Sequence, residues 1–262
     1  MKKENAQICE IYYTKCFSKI TAETQNLIRF KDIELTDMHD HNFTLIKNYQ
    51  SEDELYDIIR NEMALRRAEN AQFFKLNSYV PINKSILQKF TMKPQLDIIG
   101  FYEFNLLALK DLKSRDTLSV TQITNEKKSQ ARLKLDLEGI EDVAIIDFLI
   151  RKHKRREKVY FNDTNINAYI ATDGDEIIGT CDLFLNQGIA KIEDFAVSES
   201  KQRQGYGATI LKSIIEIALG QGATMIYLIT DENDTVKEMY LKNGFKKIDE
   251  RIDLFFNFES VK

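Results

Sequence analysis

The sequence predicts an α/β protein in two units, its second half alternating strands with helices. Three observations carry that reading. After residue 116, stretches with apolar residues at every second position alternate with stretches spaced at three and four, the periods of strands and helices. Nine of the ten glycines, all except Gly100, fall at or after Gly139, whereas both prolines, Pro81 and Pro94, precede it. This change in turn chemistry places a seam near Lys113-Ser114-Arg115-Asp116 and divides the chain into 1–115 and 116–262. Two domains also suit 262 residues at roughly 150 residues per domain.

Taken in order, residues 4–19 have mixed apolar spacing that is compatible with a helix. Ser51-Glu52-Asp53-Glu54 reads as a helix start capped by Ser51, and Leu55, Ile58, Ile59 and Met63 extend an apolar stripe toward Ala71. Residues 98–107 carry strand formers. In the second part, 117–124 alternate as a strand, and helices follow at 126–137 and 140–156, broken at Gly139. Strands at 167–172 and 177–185 are joined by the hairpin turn Asp173-Gly174-Asp175-Glu176. Asn186-Gln187-Gly188 then turns the chain into a strand at 189–197. The next helix has apolar residues at 210, 211, 214, 215 and 218, one buried face, and ends near Gly220. Residues 225–229 are continuously apolar, as in a strand buried on both sides. A short helix at 235–242 and two closing strands, 245–248 and 252–258, complete the chain.

Composition narrows the function. A 43% hydrophobic content supports a real core. The net charge of −4 divides into +1 for 1–115 (17 basic, 16 acidic) and −5 for 116–262 (20 basic, 25 acidic). Neither half offers the positive field that nucleic-acid binding needs, and the acidic half suits a cationic amine better. No apolar run is long enough to span a membrane, no signal-peptide run follows Met1, and three cysteines make no disulfide framework. A cytoplasmic protein without a metal is expected. His39-Asp40-His41 reads as a polar loop, the basic run 151–156 as a solvated helix end, and Cys181, Tyr12-Tyr13 and Phe73-Phe74 as packing residues.

The segment 197–208, VSESKQRQGYGA, holds the chemistry. A strand runs through two glycines, Gly205 and Gly207, into an amphipathic helix. Glycine lets the backbone bend and approach a ligand, and the first amides of a helix lack internal partners and carry partial positive charge. Together these make an anion site that fits a pyrophosphate. Position 210 is Ile, so the dinucleotide spacing Gly-x-Gly-x-x-Gly is not met, and no Walker loop is present.

Downstream stand Asn233, then Tyr240 seven residues on, then Gly244-Phe245. With Gln202-x-x-Gly205-x-Gly207, these residues make the region 116–262 resemble the GNAT superfamily of acyl-CoA-dependent N-acetyltransferases. The resemblance implies a mixed, mostly antiparallel central sheet flanked by helices, with 1–115 as an additional N-terminal α/β domain, either a degenerate GNAT-like unit or a substrate cap. It implies acetyl-CoA as co-substrate and the primary amine of a small molecule or peptide as acceptor. Phe195, Ala196 and Val197 would pair with the pantetheine arm, one of their amides facing the thioester carbonyl. Amides from Arg203, Gln204, Gly205, Tyr206, Gly207 and Ala208 would hold the pyrophosphate, with Gln202 in the same loop. Asn233 would contact the cofactor near its pantetheine, and Tyr240 would protonate the departing thiolate. Glu193 is the candidate base, with Asp194 beside it expected on the opposite face by strand alternation. The competing reading is a non-catalytic acyl-CoA-binding module whose N-terminal domain engages a protein. Leu228 stands where the branch acting on ribosomal-protein N-termini carries Glu, which counts against that branch.

Overall fold

The computed structural model describes residues 2–258. Its elements begin with α1 (Lys2–Phe17), β1 (Lys19–Glu23), β2 (Leu27–Lys31), β3 (Thr44–Ile46), α2 (Glu52–Ala68), β4 (Phe73–Ser78), α3 (Lys84–Leu87) and β5 (Gln95–Phe104). They continue with β6 (Leu118–Gln122), α4 (Glu126–Asp136), α5 (Val143–Tyr160), β7 (Ile166–Asp173), β8 (Glu176–Asn186) and β9 (Ile189–Val197). The last are α6 (Tyr206–Gly220), β10 (Met225–Asp231), α7 (Val236–Lys242) and β11 (Phe245–Asn257). Side-chain caps set several helix starts: Ser51 accepts from the Glu54 amide, Asn125 from Lys128, and Asp142 from Ala144 and Ile145. The two closing strands expected at 245–248 and 252–258 are one strand, β11. The strand runs unbroken through Asp249, Glu250 and Arg251, and residues 252–257 pair antiparallel with β4.

The fold is mixed α/β with mostly antiparallel pairing. Antiparallel ladders join β1/β2, β2/β3, β4/β11, β6/β7, β7/β8 and β8/β9, whereas β3/β4 and β9/β10 are parallel. Each parallel pair is bridged by a helix, α2 or α6, because parallel neighbours need a crossover.

The chain forms two compact units that do not divide at residue 115. The first comprises Met1–Cys16, Phe101–Thr230 and Thr235–Ile248, and the second Phe17–Gly100, Asp231–Asp234 and Asp249–Lys262. Composition shifts mark a linear seam, but contacts decide membership. Helix α1 joins the first unit because Tyr227 donates to the Ala6 carbonyl and to Glu10, and Lys191 pairs with Glu10.

In the first unit, alternation sorts the side chains of β8. Cys181 and Leu183 join Ile210, Leu211, Ile214 and Ile215 of α6 in the main core. Asp182 turns the other way to Arg132 of α4 and Tyr160 of α5, and Phe184 meets Tyr13 of α1 edge-on at 5.6 Å. The second unit has its own core, in which α2 supplies Leu55 and Ile59 against Phe74 and Leu76 of β4 and Leu254 and Phe256 of β11. No helix among the described residues is long and apolar enough to cross a membrane.

Candidate active site

Two departures from regular pairing shape β9. The parallel ladder with β10 runs from Met225↔Ile189 to Leu228↔Ile192 and stops there. Residues 193–197 continue alongside β8, reaching Gly179↔Val197, so β9 and β10 come apart and leave a stretch of strand edge unpaired on one side. Between Asp182↔Glu193 and Thr180↔Ala196 the register shifts, so that Cys181 faces both Asp194 and Phe195. This is a β-bulge, and Asp194 absorbs it with φ of 46°.

The bulge overturns the alternation expected for Glu193 and Asp194. Asp194 meets Arg132, Lys152 and Arg156, at 3.5 Å and 3.8 Å for the first two. Glu193 lies 2.7 Å from Lys191 Nζ, an ion pair. The two environments adjoin. Tyr13 feels both Glu193 and Arg156, and Arg156 is the partner of Asp194.

Beyond β9, the chain enters the glycine loop. Gln202 Nε2 donates to the Val197 carbonyl (3.1 Å) and ties the loop to the strand end. Arg203 (φ 60°) and Gly205 (φ 88°) both take left-handed conformations. Gly205 is the N-cap of α6, no side chain caps the helix, and no acidic residue stands in its first turn. The amides there are therefore left to an outside partner. Gly207 leaves room that a side chain would take: a Cβ there would stand 3.1 Å from Met239 Sδ and 3.8 Å from the Phe195 ring.

Tyr206 is fixed by its hydroxyl, which donates to Asp173 (2.7 Å). That bond, then burial, holds the phenol above its ordinary pKa; the same bond, then one with Thr117, holds Asp173 below its own. Arg115, from the segment before β6, donates to the Gln204 carbonyl and stacks on the Tyr206 ring at 4.1 Å. Sequence reasoning used Arg115 only as part of a seam.

Helix α7 brings Tyr240 against this junction. Its ring is buried, edge-on to Phe195 (6.4 Å) and to Phe245 (5.7 Å). The structure thus gathers Phe195, Gly207 and Tyr240. Asn233 lies in the exposed turn 231–234, counted with the second unit, where its amide donates to Asp231 (2.8 Å).

A cavity of about 390 Å³ opens at the β9 end. Arg132 and Asp136 of α4, Lys152 and Arg156 of α5, Asp194 to Val197, and Gln202 line it. The run 151–156 is therefore not a solvated helix end. Lys152 and Arg156 stand four apart, share one face of α5 and reach Asp194, while His153 is buried against Ser129 (3.1 Å). Beneath the cavity Arg132 grips Asp182 with two nitrogens, and Tyr160 donates to the same carboxylate. Burial is the largest influence on Arg132 and pulls its pKa down, but Asp182, Tyr160 and Asp136 together outweigh it and leave the pKa raised, and burial, then Asp182, pushes Tyr160 well up; the guanidinium stays charged and the phenol protonated. His39-Asp40-His41 forms a short 3-10 turn, and no cluster of candidate metal ligands occurs among the described residues.

Comparison with known proteins agrees with this geometry. Residues 137–245 match the model of the Acetyltransferase (GNAT) family. The uncharacterized N-acetyltransferase CgeE of Bacillus subtilis (strain 168) is 30% identical over 125 residues, which are 45% of this chain and 48% of that protein, so the match spans about half of that relative. Among solved structures, a conserved protein of unknown function from Staphylococcus epidermidis ATCC 12228 superposes with a TM-score of 0.77 at 17% identity, over 92% of this chain and 94% of its own. A GCN5-related N-acetyltransferase from Kribbella flavida gives 0.67 at 13% identity, over 96% and 95%. These two likenesses are of fold.

Proposed function

From the premise that residues 137–245 are an acetyltransferase domain of the GNAT family, we propose that the chain transfers an acetyl group from acetyl-CoA to a primary amine by direct attack in a ternary complex. The observation that carries the reading is the mouth between β9 and β10, open beyond Ile192 and Leu228, with the uncapped start of α6 beside it. Acetyl-CoA supplies the activated acyl carbon as a thioester. The chain's residues do the rest. Amides from Arg203 to Ala208, with Gln202 anchoring the loop, hold the diphosphate against the helix dipole. The free edge of Phe195, Ala196 and Val197 pairs with the pantetheine arm, and an amide there stabilises the oxyanion. Tyr240 gives its phenolic proton to the leaving sulfur, and Glu193 takes the proton that the amine loses. Asn233 binds the pantetheine end. The acceptor, a small-molecule or peptide amine, enters by the cavity under α4 and α5.

The test is calorimetry with coenzyme A, followed by thiol release from acetyl-CoA over a panel of amines and peptides. Binding and amine-dependent release support the reading. Binding without release on any acceptor would favour an acyl-CoA-binding module. No heat with coenzyme A, and no change on replacing Gly205 and Gly207 by bulky residues, would end both.

A further inference from the structure

Glu193 does not stand alone in the interior. Lys191 Nζ lies 2.7 Å from Glu193 and 2.9 Å from Glu10 of α1, and Tyr227 of β10 donates to Glu10 at 2.8 Å. Lys191 and Glu10 are buried, whereas about a quarter of the Glu193 side chain (26%) remains exposed. Helix α1 lies outside the family-matched residues, so the family does not dictate this contact.

We propose that Glu10 is a positioning residue for the Glu193 base, because sharing Lys191 between two carboxylates leaves the buried cluster one negative charge in excess. This inference rests on the acetyl-transfer reading above. Were Lys191 paired with Glu193 alone, a proton arriving on Glu193 would strand an unmatched ammonium in the interior, which is strongly unfavourable. With Glu10 present, the same proton leaves a balanced Glu10–Lys191 pair. The proton moves from the attacking amine nitrogen to a Glu193 oxygen, no other bond of the cluster changes, and solvent recovers it at the exposed edge.

The surrounding groups leave Glu193 as the point of entry. Burial, then Glu193, holds the Tyr13 phenol well above its ordinary pKa; burial, then Glu10, does the same for Tyr227. Burial pushes the Cys9 thiol up to about 12 and also raises Cys181, which touches the Glu193 carbonyl. Burial alone would lower Lys191, but Glu10 and Glu193 outweigh it, and the Tyr13 ring faces its ammonium at 4.0 Å. The remaining charges nearby engage one another: Arg132, Lys152 and Arg156 face Asp194, and Arg132 also holds Asp182 and Asp136, with Tyr160 donating to Asp182.

The experiment follows kcat/KM against pH with acetyl-CoA and an accepted amine. Glu10→Gln, which keeps shape but removes charge, is expected to move the acid limb about one unit toward lower pH and to lower the plateau about tenfold, with KM for acetyl-CoA within about twofold. Lys191→Met is expected to move the limb the opposite way, and Glu10→Asp to restore it. A limb unmoved in whichever of Glu10→Gln and Lys191→Met folds overturns the proposal, since a merely structural contact would change stability and not the profile. Absence of thiol release from the unsubstituted chain is a different result, which removes the acetyl-transfer reading and this inference with it.

Discussion

Each unit contains a strand, a crossover helix and a parallel strand: β9-α6-β10 in the first and β3-α2-β4 in the second. They differ at the helix start. Helix α2 is capped by Ser51 and carries Glu52, Asp53 and Glu54 in its first turn, the arrangement that satisfies the end of a helix within the protein. Its carboxylates are engaged, Glu54 by Asn26 (2.7 Å) and the Gln50 amide (2.6 Å), Glu52 by Asn83 (2.6 Å). Helix α6 has none of this; its cap is Gly205. The strands differ too. β3 has three residues, all paired with β4, whereas β9 carries five residues beyond its last partner on β10. Topology alone therefore does not distinguish the two crossover units. The unsatisfied helix end and the free strand edge do, and the proposed diphosphate site rests on them.

The largest expected effect tests the element that follows each parallel pair. In the first unit α7 presents Tyr240; in the second α3 presents buried Ile86 and Leu87 and no phenol. Tyr240→Phe should lower kcat by about 100-fold, the lower end of what general acid catalysis contributes, while affinity for coenzyme A stays within about twofold. Stopped-flow or steady-state thiol release beside calorimetry separates the two. Unchanged kcat would remove Tyr240 as the acid and leave α7, like α3, a packing element.

Much of this contrast is legible in sequence because it rests on local chemistry. Ser51 with three acids after it, and Gly205 and Gly207 with none, state the condition of each helix end before any packing is known. Period-two and period-3.6 patterns likewise place β6 to β10 and α4 to α7. What could not be read is set by long-range contact. The extra residue at Asp194 depends on pairing with β8, so alternation misplaced it against Glu193. The partnership of Glu10 with Lys191 spans 181 residues, and α1 gives no sign of which unit it joins. The basic run 151–156 reads as charge on a surface until the bulge supplies a carboxylate for two of its members.

A second, smaller effect comes from carrying the chemistry of α2 to α6. Gly205→Asp gives α6 an acidic cap at φ of 88°, which Asp tolerates better than most residues but with a strain of roughly 1 kcal/mol. The added carboxylate also repels an incoming diphosphate. Affinity for coenzyme A should fall by about ten- to a hundredfold, read by calorimetry at fixed ionic strength. The reciprocal change, Ser51→Gly in α2, should cost only a few tenths of a kcal/mol and create no binding, because β3 offers no free edge. Unaltered affinity in Gly205→Asp would mean that coenzyme A does not use this helix end.

The smallest effect is on stability, and pH brings it out. His153 of α5 is buried beside Ser129, and burial first, with Arg132 and Arg156 adding to it, lowers its pKa below the ordinary value despite the opposing pull of Glu157 and Asp136. A histidine that resists protonation when folded binds fewer protons than the unfolded chain. Its contribution is therefore fully present above about pH 6.5, the unfolded value, and is lost as pH falls from there toward the folded one. One such group limits the slope to about 1.4 kcal/mol per pH unit. His39 of the second unit is also lowered, by burial before Lys75, so both units should soften in mild acid. The two are separable by substitution. In urea unfolding between pH 7 and pH 5, His153→Gln should flatten the acid-side loss for the first unit and His39→Gln for the second. If either substitution flattens neither, that imidazole is not held neutral by its surroundings. If His153→Gln also raises the KM for an amine acceptor, the packing of α4 and α5, which line the 390 Å³ cavity, is coupled to acceptor binding as well as to folding.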